Sequence, residues 1–181
     1  MKRSYKYLII LFIITCFIIT GCSCTREDSG EPNQKVSALK FYAPSNYKSR
    51  SDLRGAIYND DSRRIFATGD TNDYNTFMYI DVLKQKSTNS LEERIKELNE
   101  QSTNENEPKY VKKEHKSLEV YGKEGFENQN GDVDIIDYTY MTMIDEYQYT
   151  IKISGPKAKS DEVKELANKV FNSLEKETSL N

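Results

Sequence analysis

The chain has no tryptophan and a single histidine, His115. One imidazole leaves little scope for acid–base or metal chemistry, and a lone histidine in the charged run KKEHKS reads as a surface residue. No Ser-His-Asp pattern and no GxSxG elbow is present, so nucleophilic catalysis has no recognisable set. The three cysteines are Cys16, Cys22 and Cys24, and nothing after position 24 carries a thiol. The body of the chain therefore has no internal disulfide and is held by its core alone. Long apolar runs are also missing. The best, residues 8–19, makes about 18 Å of helix, where a bilayer core needs about 20 residues. There is no excess of positive charge: the formal net charge is −3, which gives no electrostatic reason to bind nucleic acid. No internal repeat and no EF-hand spacing occurs.

What is present begins at the N-terminus. Lys2, Arg3 and Lys6 precede the apolar run, and Ile19-Thr20-Gly21-Cys22 follow it. This layout resembles a bacterial lipoprotein signal peptide with its lipobox. The expectation is cleavage between Gly21 and Cys22, with Cys22 bearing a diacylglyceryl group and a palmitate-type acyl chain on its new amino terminus. Each buried methylene contributes about 0.8 kcal/mol, and one chain alone anchors marginally, so two or three chains hold the protein at the membrane without a span. The expected address is the extracytoplasmic face of a bacterial cell membrane, with Cys22 as the membrane contact. Loss of three of the twenty-six basic residues leaves twenty-three against twenty-nine acidic ones. The mature chain then carries −6 and shows no polybasic patch in its sequence. The alternatives for Cys24 are acylation and pairing between chains, and an unmodified linker thiol is the simpler reading.

The organisation expected is signal peptide 1–21, flexible tether 22–36, one domain 37–176 and a tail 177–181. A tether of about 14 residues reaches some 20 Å. Within the domain, residues 39–42 read as a short strand stopped by Pro44. Residues 55–58 and 64–68 read as a hairpin around 59–62. Residues 76–83 alternate, with Met78, Ile80 and Val82 on one face. Leu91, Ile95 and Leu98 recur at helical spacing behind a capping box of Ser90 and Glu93, giving a helix over 91–101. The polar stretch 101–109 follows as a loop. Strands return at 110–113 and 118–128, and Asn130-Gly131 predicts a type I′ hairpin into 132–144. Tyr147, Tyr149, Ile151 and Ile153 share a face of the next strand, which Gly155-Pro156 should break. Val163, Leu166, Ala167, Val170, Phe171 and Leu174 then form one apolar stripe on a closing helix, with Ser160 as its cap and Asp161 and Glu162 at its positive end. The class is α+β: an antiparallel sheet flanked by helices.

Four segments carry a resemblance. LKFYAPSNY (39–47) fits an opening F-x-x-P-x-x-Y/W strand, and SLEERIKEL (90–98) follows the strand FMYIDV (77–82). YQYTIKISGP (147–156) leads into SDEVKELANKVFNSLE (160–175). Together these resemble the PsbP-like α/β/α sandwich family, which contains photosystem II extrinsic proteins, a nuclear-transport Ran-binding factor and bacterial lipoproteins. The resemblance implies the sandwich fold and a habit of binding proteins without catalysis. No ligand residues and no cofactor transfer with it.

The candidate chemistry is sparse. Asp132 and Asp134, with Asp137 near by, are weak candidates for calcium, which needs six or more oxygen ligands; solvated turn residues are the simpler reading. Asp70, Asn72 and Asp73 form a second polar knot. Tyr138, Tyr140, Tyr147 and Tyr149 make either a contact surface or an ordinary sheet face under a helix, and the architecture favours the latter. The expected function is a membrane-anchored, non-catalytic module binding an envelope protein. The alternatives are a small-ligand or calcium-binding lipoprotein, and a cell-envelope enzyme or its accessory subunit.

Overall fold

A computed structural model of the chain describes residues 29–53, 61–102 and 107–178. The lipobox, Cys22 and the expected strand at 55–58 lie outside the described residues.

Ten strands and two helices are described. They run β1 (Gln34–Val36), β2 (Leu39–Phe41), β3 (Lys48–Ser49), β4 (Arg63–Thr68), β5 (Met78–Lys86), α1 (Leu91–Gln101), β6 (Val111–Lys113), β7 (Val120–Asn130), β8 (Val133–Ile144), β9 (Tyr147–Pro156), α2 (Ser160–Ser173) and β10 (Glu175–Lys176). Seven strands form one sheet in the order β3-β4-β5-β9-β8-β7-β6, and β1-β2-β10 form a small second sheet. Every strand pairing among the described residues is antiparallel. The order explains the crossover. α1 leaves β5 in mid-sheet and delivers the chain to β6 at the far edge, and the β6–β9 meander then walks back until β9 pairs with β5.

The two faces are covered differently. α2 and the small sheet close one face, burying Val36, Leu39, Phe41, Ile80, Val82, Ile151, Ile153, Val163 and Val170 in a single core. On the opposite face α1 places Leu91 and Ile95 against Met141. This is an α/β/α arrangement of an antiparallel sheet. The alternation of Met78, Ile80 and Val82 and the stripe of α2 point inward as the sequence predicts. Tyr138, Tyr140 and Tyr149 are core residues, each under 10% exposed, and Tyr147 packs against them. The Ser90 hydroxyl accepts from the Glu93 N–H at 3.2 Å, and Glu93 accepts from the Ser90 N–H at 3.0 Å, completing the capping box.

Several expectations are corrected. Gln34–Val36 pair with β2 and Val36 is fully buried, so the last residues assigned to the tether belong to the fold. Glu177, assigned to the tail, donates its N–H to the Ala38 carbonyl at 2.8 Å. Gly155 and Pro156 remain in β9, opposite Ile136 and Ile135. Pro156 lies beyond the last pair with β5, Tyr79 with Ser154, so its missing N–H costs no bond on that side. The β7–β8 loop is Gly131-Asp132, because Asn130 pairs with Val133. Only Gly131 has positive φ (61°), which is the glycine-first pattern of a type II′ turn. Gly125 interrupts β7 at a bulge with φ 70°, whereas Gly122 keeps its pairing. Ser160 is the first residue of α2 and its cap position is Lys159; a 3-10 turn, Lys157–Lys159, feeds the helix.

Candidate functional site

Two grooves flank the sandwich. The first, of about 490 Å³, lies between α2 and the segments 44–47 and 69–76. Its floor is Tyr42, Met78 and Leu166, and its rim carries Lys159, Glu162, Glu165 and Lys169. Helical spacing puts Glu165 four residues before Lys169, and the two pair at 2.9 Å. Tyr47 borders this groove; burial first, and the Glu162 carboxylate second, push its hydroxyl up to about 12. It is therefore a neutral hydrogen-bonding group and not a base at physiological pH. The wall at 69–76 is shaped by Gly69, whose φ of 82° turns the chain where a side chain would strike the Thr76 carbonyl. Asp70 and Asp73 stabilise that wall: their carboxylates accept the N–H groups of Asn72 at 2.9 Å and Asn75 at 3.1 Å. The Asp70, Asn72, Asp73 knot is thus a pair of side-chain-capped turns.

The second groove, of about 650 Å³, runs between α1 and the edge strand β6. Ile95, Tyr110 and Tyr121 form its floor, with Glu92, Lys96, Glu100 and Lys109 along the rim. Asn99 fixes its geometry. Its amide donates to the Tyr110 carbonyl at 2.9 Å and accepts from the Tyr110 N–H at 2.8 Å, tying the helix to the start of β6. The next residue, Val111, is 53% exposed and points to the opposite face of this strand, the outermost of the sheet among the described residues.

A polar network continues from this groove across the α1 side of the sheet. Lys123 pairs with Glu107 at 2.6 Å and lies over the Phe126 ring at 4.7 Å. Lys123 and then Ser102 hold the Glu107 carboxyl below the usual carboxylate range. Further along, Asp137 Oδ2 accepts from Asn128 at 2.6 Å and from Lys152 at 2.9 Å. Burial opposes the Lys152 charge most strongly, yet Tyr79 and Asp137 together keep its pKa above the ordinary lysine value. Asp137 is 3% exposed, and its Oδ1 has no hydrogen-bond partner. On β4 and β5, Arg63 grips Asp81 with two bonds of 3.0 and 2.6 Å. Sequence reasoning missed these pairs because Asp137 and Lys152 are brought together only by the β8–β9 register. The signal was there in principle: Asp137 lies between Ile136 and Tyr138, and Lys152 between Ile151 and Ile153, so each charge alternates with apolar residues along its strand.

The candidates named from sequence are placed as follows. Asp132 is exposed in the β7–β8 turn, Asp134 accepts from Gln129 at 3.2 Å, and Asp137 is buried in the network described above. They do not converge, and no cluster of three potential metal ligands occurs among the described residues. His115 is not a plain surface residue. Its Nδ1 accepts the N–H groups of Ser117 and Leu118 at 3.3 and 3.2 Å, which leaves Nε2 to donate to the Phe171 carbonyl at 3.1 Å near the end of α2. Its ring also meets Phe171 edge-on at 5.1 Å. Burial first lowers its pKa, and that is consistent with a neutral ring holding three bonds at once. Gly21 and Cys22 lie outside the described residues. Among the described residues no helix is long and apolar enough to cross a membrane.

No protein-family model matches the sequence, and no curated protein matches it. Solved structures do match in fold. A protein from Bacteroides thetaiotaomicron superposes with a TM-score of 0.55 at 13% identity, over 81% of this chain and 49% of its own. This chain thus spans about half the length of that protein. LpqN of Mycobacterium tuberculosis, involved in cell envelope biogenesis, gives 0.51 at 10% identity over 82% of this chain and 85% of its own. The cyanobacterial PsbP protein CyanoP of Synechocystis gives 0.51 at 16% identity over 87% and 99%. The chain has the PsbP-like fold.

Proposed function

We propose that this protein is a lipid-anchored lipoprotein of the bacterial cell envelope, held by Cys22, whose domain works by binding an envelope protein without catalysing a reaction. The observation that carries the binding reading is the groove between α1 and β6. An outermost strand presents main-chain donors and acceptors to a partner strand, and apolar contact is offered on both of its faces, by Ile95, Tyr110 and Tyr121 on the groove side and by the exposed Val111 on the other. The partner this fits is an extended segment added alongside β6. The Gly21-Cys22 lipobox supports the anchor, and the fold shared with LpqN, itself involved in envelope biogenesis, supports the compartment.

The test uses the full chain in living cells. A photocrosslinking residue at Val111 should trap a discrete envelope protein, while the same residue at Glu165, in the other groove, should not. No adduct at Val111, or equal adducts at both positions, would count against this reading. Mass spectrometry should find the lipid on an N-terminal Cys22, and Cys22→Ala should leave the membrane fraction; an intact Met1 terminus in the host would overturn the anchor.

A further inference from the structure

We propose that a basic recess at the start of the folded domain holds the phosphate group of an anionic lipid headgroup. The inference rests on the Cys22 anchor proposed above. The recess measures about 350 Å³ and is lined by Pro32, Asn33, Gln34, Lys35, Lys40 and Arg64. Three of the six residues are cations, two are amides, and none is a carboxylate.

Its construction favours an anion. Lys35 and Lys40 stand directly opposite each other across β1 and β2. Like charges so placed repel unless a counter-charge sits between them. Glu177 meets Lys35 at 3.1 Å and Glu175 meets Lys40 at 3.8 Å, both from outside the recess lining, and Arg64 is engaged as well. Pairs this exposed contribute little to stability, and each ammonium keeps further donors, so a phosphate joins them or competes with them for the same donors. The base of the recess is fixed: Asn33 donates to the Ala43 carbonyl at 2.8 Å and accepts the Ala43 N–H at 2.9 Å.

Its position selects the source of the phosphate. β1 is where the chain enters the fold, and Asn33 is eleven positions from Cys22. Even fully extended, that length spans at most about 40 Å, and as a flexible chain about 20 Å. The recess is therefore the part of the domain held nearest the headgroups. The acidic remainder is pushed outward from an anionic leaflet, so this end becomes the one that faces it. β4, which supplies Arg64, is five strand positions from β6 in the large sheet. At about 4.8 Å per strand the proposed partner groove then stands about 24 Å away across the sheet, so the two sites do not overlap.

The test uses the lipidated full chain, isotope-labelled, in a neutral detergent. Soluble short-chain phosphatidylglycerol is titrated while the amide signals of Gln34, Lys35 and Lys40 are followed by NMR. We expect saturable shifts at these residues, weakened by salt. Affinity should fall about tenfold, or 1.4 kcal/mol, in a Lys35→Gln/Lys40→Gln double variant whose α2 signals show an intact fold. Short-chain phosphatidylcholine should leave the signals in place. Unmoved signals, equal response to both lipids, or full-strength binding by the variant would overturn the proposal. So would saturation by inorganic phosphate with no preference for the glycerol headgroup. Failure of the anchor reads out separately, as an unmodified Cys22 in the mass spectrum of the same preparation.

Discussion

The pair of Asp137 and Lys152 offers a direct test of how the α1 side of the sheet is held. Asp137 Oδ2 accepts two bonds, from Asn128 at 2.6 Å and from Lys152 at 2.9 Å. Its own side chain is 5% exposed and that of Lys152 is 35% exposed. Removing one partner of a fully buried pair costs about 3–5 kcal/mol, and exposed pairs contribute about 0–1 kcal/mol. With one partner buried and the other a third open to water, Asp137→Ala should cost about 2–3 kcal/mol, part of it from the amide of Asn128 losing its acceptor. In a domain of this size that lowers the melting temperature by roughly 4–12 °C. Lys152→Met keeps the aliphatic stem and should cost less, because the lysine already opposes its own burial. A double-mutant cycle read by urea unfolding isolates the pair, with an expected coupling of about 1–2 kcal/mol. The Lys152 pKa is raised, so its share of the stability is fully present below the unfolded value of 10.5 and is lost as pH climbs through the folded value. The coupling should accordingly vanish in strong alkali. A coupling below about 0.5 kcal/mol at neutral pH would refute the reasoning, and would mean that Asp137 is carried by its Asn128 bond alone.

Three further outcomes follow from local geometry. The His115 pKa is lowered in the fold, so stability should fall as pH drops below 6.5, where the unfolded chain takes up the proton first; urea midpoints of His115→Gln should lack this slope. Gly69→Ala should destabilise by more than about 1 kcal/mol, because positive φ and the Thr76 carbonyl oppose it together, whereas Gly125→Ala, with positive φ but open space, should cost only about 1 kcal/mol by thermal melting. Ser90→Ala removes the acceptor for the Glu93 N–H and should lower stability by about 1 kcal/mol, while Ser160→Ala, which caps nothing, should be close to neutral.

How far the fold was legible follows from the distance over which each signal acts. The Ser90–Glu93 box, the alternation of Met78, Ile80 and Val82 and the stripe from Val163 to Leu174 are written within one or two turns or a single strand, and each is found where the sequence puts it. β1 and β10 were not legible: two or three residues carry no period, and their strand character comes from β2, which pairs with residues 34–36 on one side and 175–176 on the other. Pro156 misled for a related reason. A proline breaks a strand only where its N–H is needed, and that depended on β5 stopping short of it. The sites follow the same rule with greater force. His115 looked solvated among lysines until the helix end, more than fifty residues away in sequence, brought the Phe171 carbonyl to its Nε2. Lys35 and Lys40 are five positions apart and unremarkable in a chain rich in lysine, yet the β1–β2 register sets them face to face beside Arg64. An acidic chain can therefore carry a basic site, because net charge constrains the sum of the residues and the fold decides which of them meet.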